Sequence, residues 1–152
     1  MKIELSKVPF PSKIVCVGRN YADHAAELGN DVPTEPLLFL KAPSALIHNG
    51  EDIVIPQQSD QVEHEGELAV VISKKCKGLT DAGNVHEYIL GYTCLNDVTA
   101  RDVQRKDVQF TRGKSFDTFC PIGPHVETEL DVIDIGVTVR VNGEIRQSGR
   151  TS

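Results

Sequence analysis

The sequence predicts a mainly β, α+β fold, and three observations carry that prediction. Short apolar runs bounded by Gly, Pro, Asn and Asp recur along the chain, as in Ile14-Val15-Cys16-Val17-Gly18 and Leu37-Leu38-Phe39-Leu40-Lys41. Near the end, Val137-Thr138-Val139-Arg140-Val141 and Glu144-Ile145-Arg146 flank Asn142-Gly143, a strong hairpin signal. Helical patterns are few and short. With 152 residues, 39% of them hydrophobic, the chain can build one domain around a real core.

Taken in order, Ile14 to Gly18 reads as a strand running into Arg19-Asn20-Tyr21. Asp23 can cap a short helix through His24-Ala25-Ala26-Glu27-Leu28, which Gly29 stops. Pro33 and Pro36 make the next segment a loop before the Leu37 to Lys41 strand, and Pro43 ends that strand. Asn49-Gly50 is a turn signal ahead of Asp52-Ile53-Val54-Ile55. A polar stretch from Gln57 to Glu63 leads to Leu68-Ala69-Val70-Val71-Ile72, an apolar run expected to be buried on both faces. Thr80 can cap a helix through Asp81 to Ile89, and a second apolar strand closes on Asn96-Asp97. Thr99 to Gln109 has helical composition but is polar nearly all round, which places it on the surface or over a site. Gly113-Lys114-Ser115 and Asp117 read as a loop leading to Phe119-Cys120-Pro121-Ile122-Gly123. Ser152 follows the hairpin with no closing element, which reads as a fold truncated at its C-terminus.

Composition excludes several classes of function. A net charge of −6 is the wrong sign for a nucleic-acid footprint, and three Tyr, five Phe and no Trp leave little for base stacking. No apolar run approaches membrane-spanning length, and Met1-Lys2-Ile3-Glu4-Leu5 lacks a signal peptide's apolar core, so no membrane partner is expected. The four cysteines lie far apart, three of them within or beside apolar stretches. They read as reduced core thiols in a cytoplasmic compartment.

The chemistry centres on Glu65-Gly66-Glu67. Strand alternation points Glu65 and Glu67 the same way. Two neighbouring carboxylates repel, and a divalent cation between them is an economical remedy. Asp97 is a candidate third ligand, and three carboxylates favour Mg²⁺, Mn²⁺ or Ca²⁺ over zinc. Blander readings stay open at this point. The glutamates suit an exposed strand end, Asp97 a helix cap, His24 and Glu27 a solvated helix face, and Lys114 an ordinary loop. His64 points away from the glutamates, and His48, His86 and His125 suit the surface.

Four blocks together resemble the fumarylacetoacetate hydrolase family: Gly18-Arg19-Asn20-Tyr21-Ala22-Asp23-His24, Glu65-Gly66-Glu67, Asn96 to Gln104, and Gly113-Lys114-Ser115-Phe116-Asp117. The first is typical of its small acylpyruvase and oxaloacetate decarboxylase branch. The resemblance implies a mixed β-roll of the family's C-terminal-domain type, usually a homodimer. Residues 1–12 are then a lead-in, and 13–152 the catalytic domain without its C-terminal part. It further implies Glu65, Glu67 and Asp97 as ligands of Mg²⁺ or Mn²⁺ (with Ca²⁺ a substitute in crystals), and a small 2-oxo acid as substrate. Lys114, Arg101 and Gln104 would border that substrate, with Arg19, Tyr21 and Lys41 available to balance or contact its charge. His24, oriented by Glu27 at i+3, would take a proton from water beneath a closing lid.

The expected activity is metal-dependent cleavage of acylpyruvates to a carboxylate and pyruvate, with oxaloacetate decarboxylation as a second reaction of the same enolate chemistry. The alternatives are an isomerase or decarboxylase of 2-oxo-diene dicarboxylates, and a truncated non-catalytic domain.

Overall fold

The computed structural model describes residues 1–20, 33–80 and 82–152. The architecture is mostly strands with a few short helices. At its centre β6 (Gly66–Ile72) and β7 (Ile89–Asn96) pair antiparallel over nearly their whole length, Gly66 opposite Asn96. β10 (His125–Glu127) adds to the other side of β7, and β1 (Lys2–Glu4) adds to β10, giving the sheet order β1-β10-β7-β6. Among the described residues β6 is therefore an edge strand, and Val70 and Ile72 are exposed. The expectation of a run buried on both faces is wrong for this reason. Cys94 on β7 is exposed as well, so only Cys120 is a fully buried thiol and Cys16 a half-buried one.

Smaller ribbons surround this sheet. β2 (Ile14–Gly18) pairs antiparallel with β3 (Leu37–Lys41), and alternation along β3 buries Phe39 and Lys41 while exposing Leu38 and Leu40. β4 (Leu46–Ile47) lies parallel to β9 (Cys120–Pro121), and β5 (Val62–Glu63) antiparallel to β8 (Thr99–Ala100). The last two strands, β11 (Gly136–Val141) and β12 (Glu144–Arg150), form the hairpin signalled by Asn142-Gly143. Both turn residues have positive φ, 52° and 85°, as a type I′ turn requires.

Three helical segments differ from their sequence readings. Residues Ala82–Tyr88 form a 3₁₀ helix rather than an α-helix, and β7 takes over at Ile89. The polar segment becomes α1 (Arg101–Lys106), which is not polar all round, because Val103 is buried in the core. The expected loop at Gly113-Lys114 is instead the end of α2 (Thr111–Lys114). Asp52 to Ile55 forms no strand. Among the described residues, no helix is long and apolar enough to cross a membrane.

Two apolar clusters hold these pieces. Ala45, Val98, Ala100, Val103, Phe119 and Cys120 form one, with Phe116 edge-on to Phe119. Leu5, Ile122 and Val126 form the other, beneath the β1 side of the sheet. The first cluster lies under the segment 97–103 and so fixes the place where β7 hands over to α1.

Candidate active site

Glu65 immediately precedes β6, and Asp97 immediately follows β7. Because Gly66 faces Asn96, these two acids are cross-strand neighbours, and the Asp97 N–H donates to the Glu65 carbonyl at 2.8 Å. Alternation sets Glu67, opposite Leu95, on the same face. Asp97 is only 4% exposed, so its charge needs partners close by.

Two lysines from two other elements supply them, and an arginine from a third partners Glu65. Lys41 sits at the end of β3, 1% exposed, with Nζ 2.6 Å from Asp97 Oδ1 and 3.3 Å from the Val98 carbonyl. Lys114, at the end of α2, donates to Asp97 Oδ2 at 2.6 Å and to Glu65 Oε2 and Thr99 Oγ1, both at 2.9 Å. It also stands 5.1 Å from the centroid of the Phe39 ring. Arg101 opens α1; its guanidinium meets Glu65 Oε1 at 2.5 Å, Glu63 Oε2 at 2.8 Å and Gln104 Oε1 at 3.0 Å. Gly113 makes room for this arrangement. A Cβ there would lie 3.0 Å from the Gln104 backbone nitrogen, so glycine lets α2 pack against α1 and carry Lys114 inward.

The electrostatics follow from this geometry. Burial pushes the Glu65 carboxyl upward, but Lys114 and Arg101 outweigh it and hold the group below its ordinary value. The Glu63 carboxyl is lowered chiefly by its hydrogen bond from Arg101. Burial weakens the case for charge on Arg101, yet Glu65 and Glu63 raise its affinity for the proton. Burial, with the Asp97 charge adding to it, pushes the Cys16 thiol up to about 12, and burial takes Cys120 to about 11. Both cysteines are therefore neutral neighbours rather than nucleophiles.

Of the residues picked out from sequence, the structure gathers Glu65, Asp97, Lys41, Lys114, Arg101 and Gln104 into one hydrogen-bonded network. Arg19 ends the β2 ribbon in a left-handed conformation, φ 55°, and is not part of that network. Tyr21, His24 and Glu27 lie outside the described residues. Asp97 is not the cap of α1, whose N-cap is Ala100 without a side-chain bond. Lys114 is a buried ion-pair lysine, not a loop residue.

Among the described residues, no group of three or more His, Cys, Asp or Glu is gathered closely enough to hold a metal ion. The position shared by Glu65 and Asp97 is taken by the Lys114 ammonium. The donor chemistry still fits a hard divalent cation. Two carboxylates already converge within 3 Å of one positive centre, and the register places Glu67 on their face.

Sequence reasoning did not pick out Thr99, Asn96, Glu63 or Gln147 as parts of the site. The Asn96 Oδ1 accepts from the Glu65 N–H at 3.0 Å, and Thr99 donates to the Asp97 carbonyl at 2.8 Å. Both belong to the Asn96 to Gln104 block, so the motif contained a signal for them. Gln147 had none, because only tertiary docking of the hairpin brings it here.

The sequence model described as fumarylacetoacetate (FAA) hydrolase C-terminal matches residues 13–152. An uncharacterized protein of Methanocaldococcus jannaschii is 53% identical over 141 residues, covering 93% of this chain and 59% of the relative. The mitochondrial oxaloacetate tautomerase FAHD2A of Homo sapiens is 44% identical over 153 residues, covering 97% of this chain and 48% of that protein. A crystal structure of 5-carboxymethyl-2-hydroxymuconate delta-isomerase from Mycobacterium smegmatis superposes with a TM-score of 0.84 at 49% identity, over 93% of this chain and 56% of that one. The chain thus spans about half the length of the relatives it matches.

Proposed function

The chain belongs to the fumarylacetoacetate hydrolase family, and from that premise we propose that it supplies the ion-binding and substrate-orienting residues of an enzyme acting on small 2-oxo acids through their enolates. The observation that carries this reading is the buried network in which Lys41, Lys114 and Arg101 converge on Asp97 and Glu65. Purely structural ion networks rarely justify the desolvation of so many charges. A site that must stabilise a developing oxyanion does.

In this reading Glu65, Glu67 and Asp97 would hold Mg²⁺ or Mn²⁺. Such an ion, when bound, supplies Lewis acidity toward the keto and carboxylate oxygens of a 2-oxo acid. Lys41, which has no solvent-exposed alternative, fixes the direction of the Asp97 carboxylate. The three N–H bonds of Lys114 are matched to three acceptors, Glu65, Asp97 and Thr99. A substrate oxygen that replaces one of these acceptors receives a charge-assisted hydrogen bond, which strengthens as enolate charge builds on that oxygen. Arg101, braced by Gln104 and Glu63, offers a planar fork suited to a carboxylate.

Oxaloacetate is the first substrate to test, because the human relative is named an oxaloacetate tautomerase. A second reading, hydrolysis of acylpyruvates, is favoured by the His24 and Glu27 pair at i and i+3, a spacing suited to an activated water. Both are tested in one experiment. Enol–keto conversion of oxaloacetate and loss of acetylpyruvate are followed by ultraviolet absorbance with Mg²⁺, Mn²⁺ or EDTA. The assays use the chain itself, Lys114→Met and His24→Ala. Metal-dependent tautomerisation abolished by Lys114→Met and spared by His24→Ala supports the first reading. Acetylpyruvate cleavage that collapses in His24→Ala supports the second. A folded, metal-loaded chain inert toward both substrates refutes the proposal.

A further inference from the structure

Among the described residues β6 is the outer strand of its sheet, so outward-facing peptide groups on it need partners from beyond the sheet. At Gly66 the need is acute. The Asp97 N–H bonds to the Glu65 carbonyl, which makes Gly66–Asn96 a non-hydrogen-bonded pair and turns the Gly66 N–H and C=O away from β7. Both are met by one side chain from the distant hairpin. Gln147 Oε1 accepts from the Gly66 N–H at 2.7 Å, and Gln147 Nε2 donates to the Gly66 carbonyl at 2.8 Å. The primary amide imitates one residue of an additional strand.

The contact is built, not incidental. Val139 faces Gln147 across the hairpin, so both side chains leave the same face and reach Gly66 together. A Cβ on Gly66 would lie 2.2 Å from Val139 Cγ2, so residue 66 must be glycine for the hairpin to dock this closely. From the other side, Asn96 holds the Glu65 N–H. The backbone that links Glu65 to Glu67 is thus clamped on both edges.

We propose that Gln147 is a positioning residue: its amide fixes the Gly66 peptide groups and thereby sets the relative direction of the Glu65 and Glu67 carboxylates for a divalent cation. The inference rests on the reading of those glutamates as ion ligands. Groups that orient ligands without touching the metal commonly change its affinity by about 10- to 100-fold when removed.

The test compares the wild-type chain with Gln147→Met, nearly the same length but without either hydrogen bond, and with Val139→Ala, which loosens the same contact and keeps the amide. Mn²⁺ affinity is read by the loss of the free-ion electron paramagnetic resonance signal. Hydrogen exchange of the Gly66 amide and thermal unfolding are measured alongside. Gln147→Met is expected to weaken Mn²⁺ binding about 10-fold or more and to accelerate Gly66 exchange. Val139→Ala should lose comparable thermal stability and keep wild-type affinity. Unchanged Mn²⁺ affinity in Gln147→Met, with wild-type binding intact, overturns the inference alone. Equal losses of affinity in both variants overturn it too, because hairpin docking rather than the amide then explains the effect. A folded wild-type chain that binds no Mn²⁺ overturns the ion-ligand reading and the positioning role with it.

Discussion

Replacing Lys114 with methionine keeps most of the length and the apolar character of the stem and removes the ammonium with its three N–H donors. The ammonium it deletes is 3% exposed and bonded to Asp97 at 2.6 Å and to Glu65 and Thr99 at 2.9 Å. Breaking a buried ion pair typically costs about 3–5 kcal/mol, because the abandoned charge stays desolvated. Here neither carboxylate is wholly abandoned: Asp97 keeps Lys41 at 2.6 Å, and Glu65 keeps Arg101 at 2.5 Å. The expected loss is therefore at or below the low end, about 2–3 kcal/mol. For a chain of this size that corresponds to a fall in Tm of roughly 4–12 °C. Urea unfolding at pH 7 in the absence of metal measures it, with an unchanged m-value showing that the unfolded state is not the cause. A loss near zero refutes the reasoning, since it means the ammonium is not shared between two desolvated carboxylates.

Three further outcomes follow from the same geometry. Glu65 is held below its ordinary value, so its contribution to stability is complete above the unfolded carboxylate value of about 4.3 and is lost as pH falls through the lower folded value. Glu65→Gln should flatten the acid limb of a Tm-against-pH curve, and a limb of unchanged slope counts against the assignment. Gly66→Ala should destabilise the chain by about 1–3 kcal/mol through overpacking against Val139, and adding Val139→Ala should recover most of the loss. A double variant no better than the single one would show that the clash lies elsewhere. Finally, Cys76 and Cys94 are exposed, while burial pushes the Cys16 and Cys120 thiols to about 12 and about 11. A disulfide reagent at pH 8 should find two fast thiols and two slow ones, and a third fast thiol contradicts this burial pattern.

What could be read from the sequence was whatever is fixed locally. The Asn142-Gly143 turn needs positive φ at both residues, and it has it. The spacing of Glu65 and Glu67 sets both acids on one face of a strand, and the next apolar run ends at Asp97, which the register brings beside Glu65. Misreadings came where distant partners decide. β1 is three residues long and pairs with β10 across more than 120 positions, Lys2 with Glu127, so no local pattern announces it. An apolar run does not say whether its strand is central or at an edge, which is why Val70, Ile72 and Cys94 were expected inside and lie outside. Thr111–Lys114 is a single turn, too short to show helical periodicity, and so Lys114 looked like a loop residue.

The charges of the described network bear on the proposed chemistry. Glu63, Glu65 and Asp97 face Lys41, Arg101 and Lys114, three negative groups against three positive ones, all within one hydrogen-bonded network. Three carboxylates around one dication leave a net negative site, so an anionic 2-oxo acid needs additional cations. The structure shows the cations present but already engaged. Under the proposed reading, Glu65 and Asp97 turn part of their charge to a divalent ion, which leaves Lys114 and Arg101 less compensated and facing the same space. Cation binding and anionic-substrate binding are then linked, each strengthening the other by the same factor. The linkage can be measured directly. The affinity for Mn²⁺ should rise in the presence of a non-reacting 2-oxo acid analogue such as oxalate, after correction for chelation in free solution. Lys114→Met should reduce that gain without lowering Mn²⁺ affinity alone, because the variant removes a cation that competes for the same two carboxylates. Equal gains in the two proteins would show that Lys114 takes no part in receiving the anion.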